Sequence, residues 1–411
     1  MQLLSTRDYS EFLATPNLVR LVMSENECGE FYPVLLVKST TLQLKYLLLA
    51  NALILRVYRI DANILGYGIV VPDDEDDPSF LWSLYERAEE LSALAAILSS
   101  KCLQVALFNE LAVNVASSSV LLRIASDAQA TTAALVNGSA AYVRPDPRAG
   151  IPNNLMVEPL RRMATGAYDG LDLVEIDSTD RPDWREMKSM YVTNRIKPSW
   201  LLVLSGNEGG QQEELGIWLI DSLQPDGAIL NPQIEDRGRM RELTDVLMTY
   251  DNGVFLIESK ALTVLNREAL PSRGKLASDV AKHADKAVKQ LTGAIRSIRR
   301  EVPIYDMDGA ELRFTRTIAP HVIVLIPDLD LLYGVTRFGG EHLAALCENV
   351  NAFFHFLDPV ELLRVVQTAS MVARQRGNVS VMDSFYDRLV RRIQIAIRHP
   401  DPAFNVLTRV E

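Results

Sequence analysis

The sequence predicts an α/β chain in two parts: an N-terminal α/β domain, then a second domain in which strands and helices alternate. Three observations carry this. Apolar runs of strand length recur between stretches with helical apolar spacing, the alternation that layers helices on a sheet. Pro145 to Asn154 (Pro-Asp-Pro-Arg-Ala-Gly-Ile-Pro-Asn-Asn) is the clearest breaker cluster and the expected interdomain boundary. At 411 residues, with 48% hydrophobic and 23% charged, the chain is long enough for two cores and has an ordinary soluble composition. The division expected is 1–150 for the N-terminal domain, 151–204 for a connecting segment, 205–370 for the second domain and 371–411 for a helical tail.

In order, residues 1–30 carry no decisive pattern. Phe31 to Lys38 and Tyr46 to Val71 read as β-rich apolar runs, broken by Asn51, Asp61 and Gly66/Gly68. Pro72-Asp-Asp-Glu-Asp-Asp-Pro78 reads as an exposed acidic loop, because a carboxylate run between prolines is best solvated. Phe80 to Ser100 has helical spacing (Leu81, Leu84, Tyr85, Ala88, Leu91, Leu94), and mixed segments continue to about Ala141. This part holds no nucleophile elbow, phosphate-binding loop or dinucleotide fingerprint. Its role is read only as sensing, regulation or oligomerisation.

Beyond the boundary, Trp200 to Leu204 reads as a short strand ending in the loop Ser205-Gly-Asn-Glu-Gly-Gly210. The helix expected over 211–222 has an apolar stripe of Leu215, Trp218 and Leu219, with Glu214 adjacent to it. The helix over 277–300 buries Val280, Ala284, Ala287, Val288, Leu291, Ile295 and Ile298, and places Gln290 beside that stripe, where a polar group needs a partner. His321 to Pro327 fits a central buried strand, and Asn351 to Leu357 another. Asp358-Pro359 opens a helix as N-cap and first-turn proline. Met371 to Arg398 reads as a basic amphipathic tail able to pack, dimerise or touch nucleic acid.

The chemistry is concentrated from Glu242 to Lys260. Asp251-Asn252-Gly253 sits between two apolar runs, a strong hairpin signal. With Asn252-Gly253 as the loop, Asp245 lies opposite Lys260; with Asp251-Asn252, it lies opposite Glu258. In both registers Asp245, Glu258 and Lys260 share one face, because the side-chain period is two. Neighbouring carboxylates in an apolar hairpin repel, and one is driven towards its neutral form. A hard divalent cation, Mg²⁺ or Mn²⁺, removes the conflict, with Asp245, Glu258 and the Ser259 carbonyl as its oxygen donors. Lys260 then stabilises developing negative charge or orients a water. The set reads as phosphodiester hydrolysis. A second acid-x-Lys, Glu186-Met187-Lys188, lacks the hairpin and reads as a solvated helix face.

Asp245 followed by Glu258-Ser259-Lys260 resembles the PD-(D/E)xK nuclease superfamily over about residues 205–365. The resemblance implies a restriction-endonuclease-like mixed sheet flanked by helices and a Mg²⁺-dependent nuclease. It implies that Glu214, on the upstream helix, and Gln290, on the downstream one, complete the site. DNA is the favoured substrate over RNA, in bacterial defence or repair. By the same analogy the chain acts as a homodimer or within a larger defence complex. The alternative is an inactive nuclease-like module that binds nucleic acid or protein as an adaptor.

Charge and cysteines narrow the setting. A net charge of −11 argues against coating nucleic acid by bulk charge. The segment after the hairpin is locally basic, and Arg267, Arg273, Lys275, Lys282, Lys286 and Lys289 are candidate phosphate contacts. Cys28, Cys102 and Cys347 match no zinc spacing and point to a reduced cytoplasm. The first residues lack a basic region followed by an apolar core, and the longest apolar run is too short to span a bilayer, so neither signal peptide nor membrane contact is expected.

Overall fold

The computed structural model describes residues 9–12, 18–61, 64–76, 78–143, 173–191, 199–223, 225, 227–236, 238–251, 253–265, 267 and 271–404. The breaker cluster at 145–154 and Asn252 of the hairpin lie outside them. The chain forms two units of mixed α/β structure. One comprises Met1–Ser189, Leu202–Leu204 and Glu268–Ser272; the other comprises Met190–Leu201, Ser205–Arg267 and Arg273–Glu411. Among the described residues no helix is long and apolar enough to cross a membrane.

The first unit contains β1 (Leu18–Glu25), β2 (Phe31–Lys38), α1 (Thr41–Leu49), β3 (Ile54–Asp61), β4 (Ile64–Val71), β5 (Ser79–Leu84), α2 (Ala88–Ser100), β6 (Cys102–Phe108), β7 (Asn114–Arg123), α3 (Ser126–Asn137), β8 (Leu173–Ser178) and β9 (Arg185–Glu186). Its sheet runs β1-β2-β6-β7-β8-β3-β4-β5, with β9 paired to β7. Only β2 and β6 run parallel along this path; the other neighbours are antiparallel.

Four readings of this unit need correction. Tyr46–Leu49, read as the start of a β-run, closes a helix over Thr41–Leu49. Thr40 caps it by accepting from the Gln43 N–H, and leucines buried on several sides hide its period. Phe80–Leu84 is the end of a strand: Leu81, Ser83 and Leu84 are buried against β4, and the helix begins only at Ala88. The acidic loop is not wholly solvated, since Asp73 is buried and accepts from both the N–H and the hydroxyl of Ser79 (2.7 and 2.6 Å). Glu186 lies on a strand rather than a helix, and its carboxylate accepts from the Leu204 N–H.

The boundary at 150 also moves. β8 lies beyond it yet joins the two halves of the sheet, pairing with β3 over Ile54 to Tyr58 and with β7 at Leu122 and Arg123. One buried charge cluster of the unit pairs internally. Arg20, fully buried, bonds Glu90 at 2.7 Å and Glu11 at 2.8 Å, and Tyr67 donates to Glu90.

A short pair, β10 (Ser189–Tyr191) and β11 (Ser199–Leu201), follows. The second unit then runs α4 (Glu208–Asp221), β12 (Gly227–Leu230), β13 (Gln233–Asp236), β14 (Arg239–Glu242), β15 (Val246–Tyr250), β16 (Gly253–Ser259), α5 (Arg273–Arg299), β17 (Ile304–Tyr305), β18 (His321–Leu325), α6 (Gly340–Val350), β19 (Phe353–Leu357), α7 (Pro359–Arg376) and α8 (Val381–Ala396). Its main sheet is β12-β15-β16-β18-β19. The first three strands are antiparallel, and β16, β18 and β19 are parallel to one another.

Every residue of β16 and β18 is buried, as expected for interior strands covered on both faces. Gly216 lets α4 lie close on this sheet, because a Cβ there would stand 3.3 Å from a Leu325 methyl. The expected tail is likewise part of the unit. α7 begins before residue 370, α8 packs back on α7 and β19, and Phe385 and Leu389 are fully buried.

Candidate active site

Tyr250 pairs with Gly253 and Val246 with Ile257, so Asp245, just before β15, falls opposite Glu258 near the end of β16. This is the second of the two possible registers. Lys260 follows directly, its N–H bonded to the Leu325 carbonyl at the end of parallel β18. Asp245, Glu258 and Lys260 thus meet at one end of the sheet.

The bonds among them are short. Ser259 N–H donates to Asp245 Oδ2 (2.6 Å), and Lys260 Nζ donates to Glu258 Oε1 (2.6 Å). The Thr244 hydroxyl reaches Glu258 Oε2 (3.2 Å) and the Ile257 carbonyl (2.9 Å). Glu258 is 1% exposed and Asp245 7%. Ser259 is buried between them, with no hydrogen-bond partner for its hydroxyl.

The carboxyls are held above their ordinary range. Burial pushes Asp245 up to about 6; Lys260 and the Ser259 N–H oppose this, and the Glu242 carboxyl adds to it. Glu258 is raised by burial first and by Asp245 next, against Lys260 and Thr244. Glu213 is pushed up to about 7 by burial and then by Asp245, with Lys260 opposing and Glu258 and Glu214 adding.

The helices on either side add residues to this set. Glu213, the residue before Glu214, joins the site as an α4 carboxyl acted on by Asp245, Lys260 and Glu258. The buried face of α4 includes Gly216, Ile217 and Ile220, while Trp218 is only half-buried. Glu213 stands three, four and seven residues before those positions, while Leu215 and Leu219 of the expected stripe are buried as well.

Gln290 is exposed on α5 and does not complete the site. His283, seven residues earlier and so about 10 Å back along the helix, is the α5 side chain beside it. Its imidazole lies against the Ala261 carbonyl and the Lys260 charge, its Nδ1 is buried without a hydrogen-bond partner, and burial lowers its pKa.

Glu208, also unforeseen, is buried at the start of α4 and accepts the N–H groups of Val264 and Leu265 (2.7 and 2.9 Å). It anchors the segment that follows Lys260. An acid directly after the N-cap Asn207 was its only sequence signal.

The basic residues separate into two sets. Arg267 and Lys275 are tied to Asp279 (3.3 and 2.8 Å), and Arg273 is half-buried at the start of α5. Lys286 and Lys289 are exposed on one side of α5, continued by Arg296 and Arg300; Lys282 on the same side stands 3.9 Å from Asp279, and Arg337 pairs with Asp285 (3.0 Å).

Among the described residues no group of three or more His, Cys, Asp or Glu is already placed to ligate one ion. The donor chemistry nonetheless fits a hard cation. Asp245, Glu258 and Glu213 supply carboxylate oxygen with Lys260 as the nearby cation acting on them, and burial first, with the neighbouring carboxylates after it, raises all three. Compared with known proteins, the chain matches no family model, no curated protein and no solved structure.

Proposed function

We propose that this chain is a metal-dependent nuclease of the restriction-endonuclease-like fold that hydrolyses phosphodiester bonds, DNA by preference. One observation carries the reading: Asp245, Glu258 and Lys260 converge at the end of a buried hairpin, with Glu213 acting on them from the preceding helix. The order α4, antiparallel β12-β15-β16, α5 and parallel β18 supports the fold, since the resemblance implies a mixed sheet flanked by helices.

Asp245 and Glu258 would hold Mg²⁺ or Mn²⁺, with Glu213 a further oxygen donor. When bound, the ion supplies charge neutralisation at the phosphate and acidifies a coordinated water. The protein's own groups then act on the phosphate. Water oxygen bonds to phosphorus as its proton passes to solvent, the bond from phosphorus to the leaving sugar oxygen breaks with that oxygen taking a proton from solvent, and the Lys260 ammonium stabilises the negative charge that builds on the phosphate oxygens. Ser259 N–H fixes Asp245, Thr244 fixes Glu258, and Glu208 holds the segment after Lys260, so the set is preorganised. The exposed lysines of α5 give the nucleic-acid backbone a nearby cationic track. A homodimer is proposed for double-strand cutting, which needs two such sites.

A second reading has its own support. Both oxygens of Glu258 and one of Asp245 already have protein partners, as in a self-contained ion pair of an inactive adaptor. Cleavage of supercoiled plasmid and single-stranded DNA with Mg²⁺ or Mn²⁺ separates the two. The nuclease predicts cutting that falls by about 10²–10³-fold in Lys260→Ala, the usual loss for one transition-state donor. Absence of cutting, with no metal-induced rise in melting temperature, favours the adaptor.

A further inference from the structure

Glu208, Gln212 and Gly216, spaced by four along α4, lie on one line of contact with the rest of the second unit. Glu208 accepts the N–H groups of Val264 and Leu265 at 2.7 and 2.9 Å. Gln212 Nε2 donates to the Leu325 carbonyl at 3.1 Å. A Cβ at Gly216 would stand 3.3 Å from a methyl of that same Leu325. The helix is therefore held at three successive turns against the segment after Lys260 and the end of β18.

Leu325 closes β18 opposite Ser259, and its carbonyl takes a second donor, the Lys260 N–H, at 2.8 Å. A carbonyl oxygen has two lone pairs, so neither donor displaces the other. One oxygen thus ties the second turn of α4 to Lys260, directly after the strand that carries Glu258.

Glu213 is the residue after Gln212, turned from it by about 100° around the helix axis. The roll of α4 that the Gln212 amide fixes is therefore also the roll that aims the Glu213 carboxyl at Asp245 and Glu258. A side chain reaching about 6 Å from the axis moves by about 1 Å for each 10° of roll. Functional groups need to be held to about 0.5 Å, so a small roll is enough to lose an oxygen ligand.

We propose that Gln212 is a positioning residue for the metal ion: by bonding the Leu325 carbonyl it sets the roll of α4 and holds Glu213 within reach of the ion that Asp245 and Glu258 bind. The inference rests on the nuclease reading and on its ion. Gln212 touches neither ion nor substrate and acts through Glu213. A plain packing contact at Gln212 makes a different forecast, a lower metal-free melting temperature with no change in ion affinity.

The test is the Mn²⁺ affinity of the full chain, read from the electron paramagnetic resonance signal of the free ion, with metal-free melting alongside. Wild type is compared with Gln212→Leu, Glu213→Gln and the double variant. Gln212→Leu keeps the bulk, removes the donor and is expected to bind Mn²⁺ about tenfold or more weakly, the usual loss for an outer partner of a ligand. Glu213→Gln is expected to weaken binding too, and the double variant to bind no more weakly than Glu213→Gln, because the amide has nothing left to aim. Losses that multiply in the double variant overturn the proposal, as does wild-type affinity in Gln212→Leu. Should Gln212→Leu fail to fold, Gln212→Asn keeps the amide one methylene short of the carbonyl, and unchanged affinity there overturns the proposal as well. A wild type that binds no Mn²⁺ overturns the ion, and the nuclease reading with it; a wild type and variant that bind equally overturn only the role of Gln212.

Discussion

Replacing Glu213 by Gln keeps its shape and removes a charge that the acidic end repels. Its carboxyl sits at about 7 in the folded protein against an ordinary 4.5. Folding therefore takes up a proton between those values, and stability falls as pH rises through them, with the whole penalty present near pH 8. At about 1.36 kcal/mol per pH unit, the interval bounds the penalty at about 3 kcal/mol. Glu213 is half-buried, so solvent screening reduces this to about 1–2 kcal/mol.

Metal-free Glu213→Gln should accordingly melt about 2–8 °C above wild type near pH 8, and close to it near pH 5. Melting curves in chelator across this pH range measure the difference. An advantage that is the same at every pH, or absent at pH 8, would refute the burial and the repulsion by Asp245 and Glu258 that raise the Glu213 carboxyl. Adding Mg²⁺ should stabilise wild type more than the variant, because the ion needs the charge that the variant lacks.

Other perturbations have equally definite outcomes. Lys260→Ala strands Glu258, 1% exposed, beside Asp245; it should cost about 3 kcal/mol near neutral pH and less near pH 5, read by chemical denaturation. Glu208→Ala frees the N–H groups of Val264 and Leu265, so hydrogen exchange at those two amides should accelerate about tenfold or more while amides of β16 change little. A fragment ending at residue 150 lacks β8 and should be insoluble or unfolded, whereas one ending at Ser189 should melt cooperatively; equal behaviour of the two would contradict the central place of β8.

Much of the second unit was legible because its strands are long, buried and bounded by turns. The run His321–Leu325 could only be an interior strand, and the Asp358-Pro359 helix start is seen directly, with Asp358 accepting from the Glu361 N–H. The hairpin placed Asp245, Glu258 and Lys260 on one face whichever register held, so that part of the site did not depend on resolving the loop.

What escaped the sequence was a neighbour one residue or two turns away. Glu213 and Glu214 differ by 100° around α4, and the apolar stripe drew attention only to Glu214. Gln290 was chosen for its chemistry, yet α5 passes the site at His283 and has moved on by the time it reaches Gln290. α1 was missed because a helix buried on most sides loses its period, and β5 because Leu81 and Leu84 suit a helical spacing that pairing with β4 overrides.

The insertion of β8 also sets a timetable. β3 ends at Asp61 and its partner begins at Leu173, so about 110 residues separate them, and at about 5–20 residues per second the ribosome needs on the order of ten seconds to supply the missing strand. Until then the nascent chain carries β3-β4-β5 as one ribbon and β1-β2-β6-β7 as another, each with an open edge facing the gap that β8 will fill. The N-terminal unit cannot close as its own N-terminus emerges. Its birth in the cell is a wait with two unpaired edges, the interval in which a chaperone that shields strand edges has most to do.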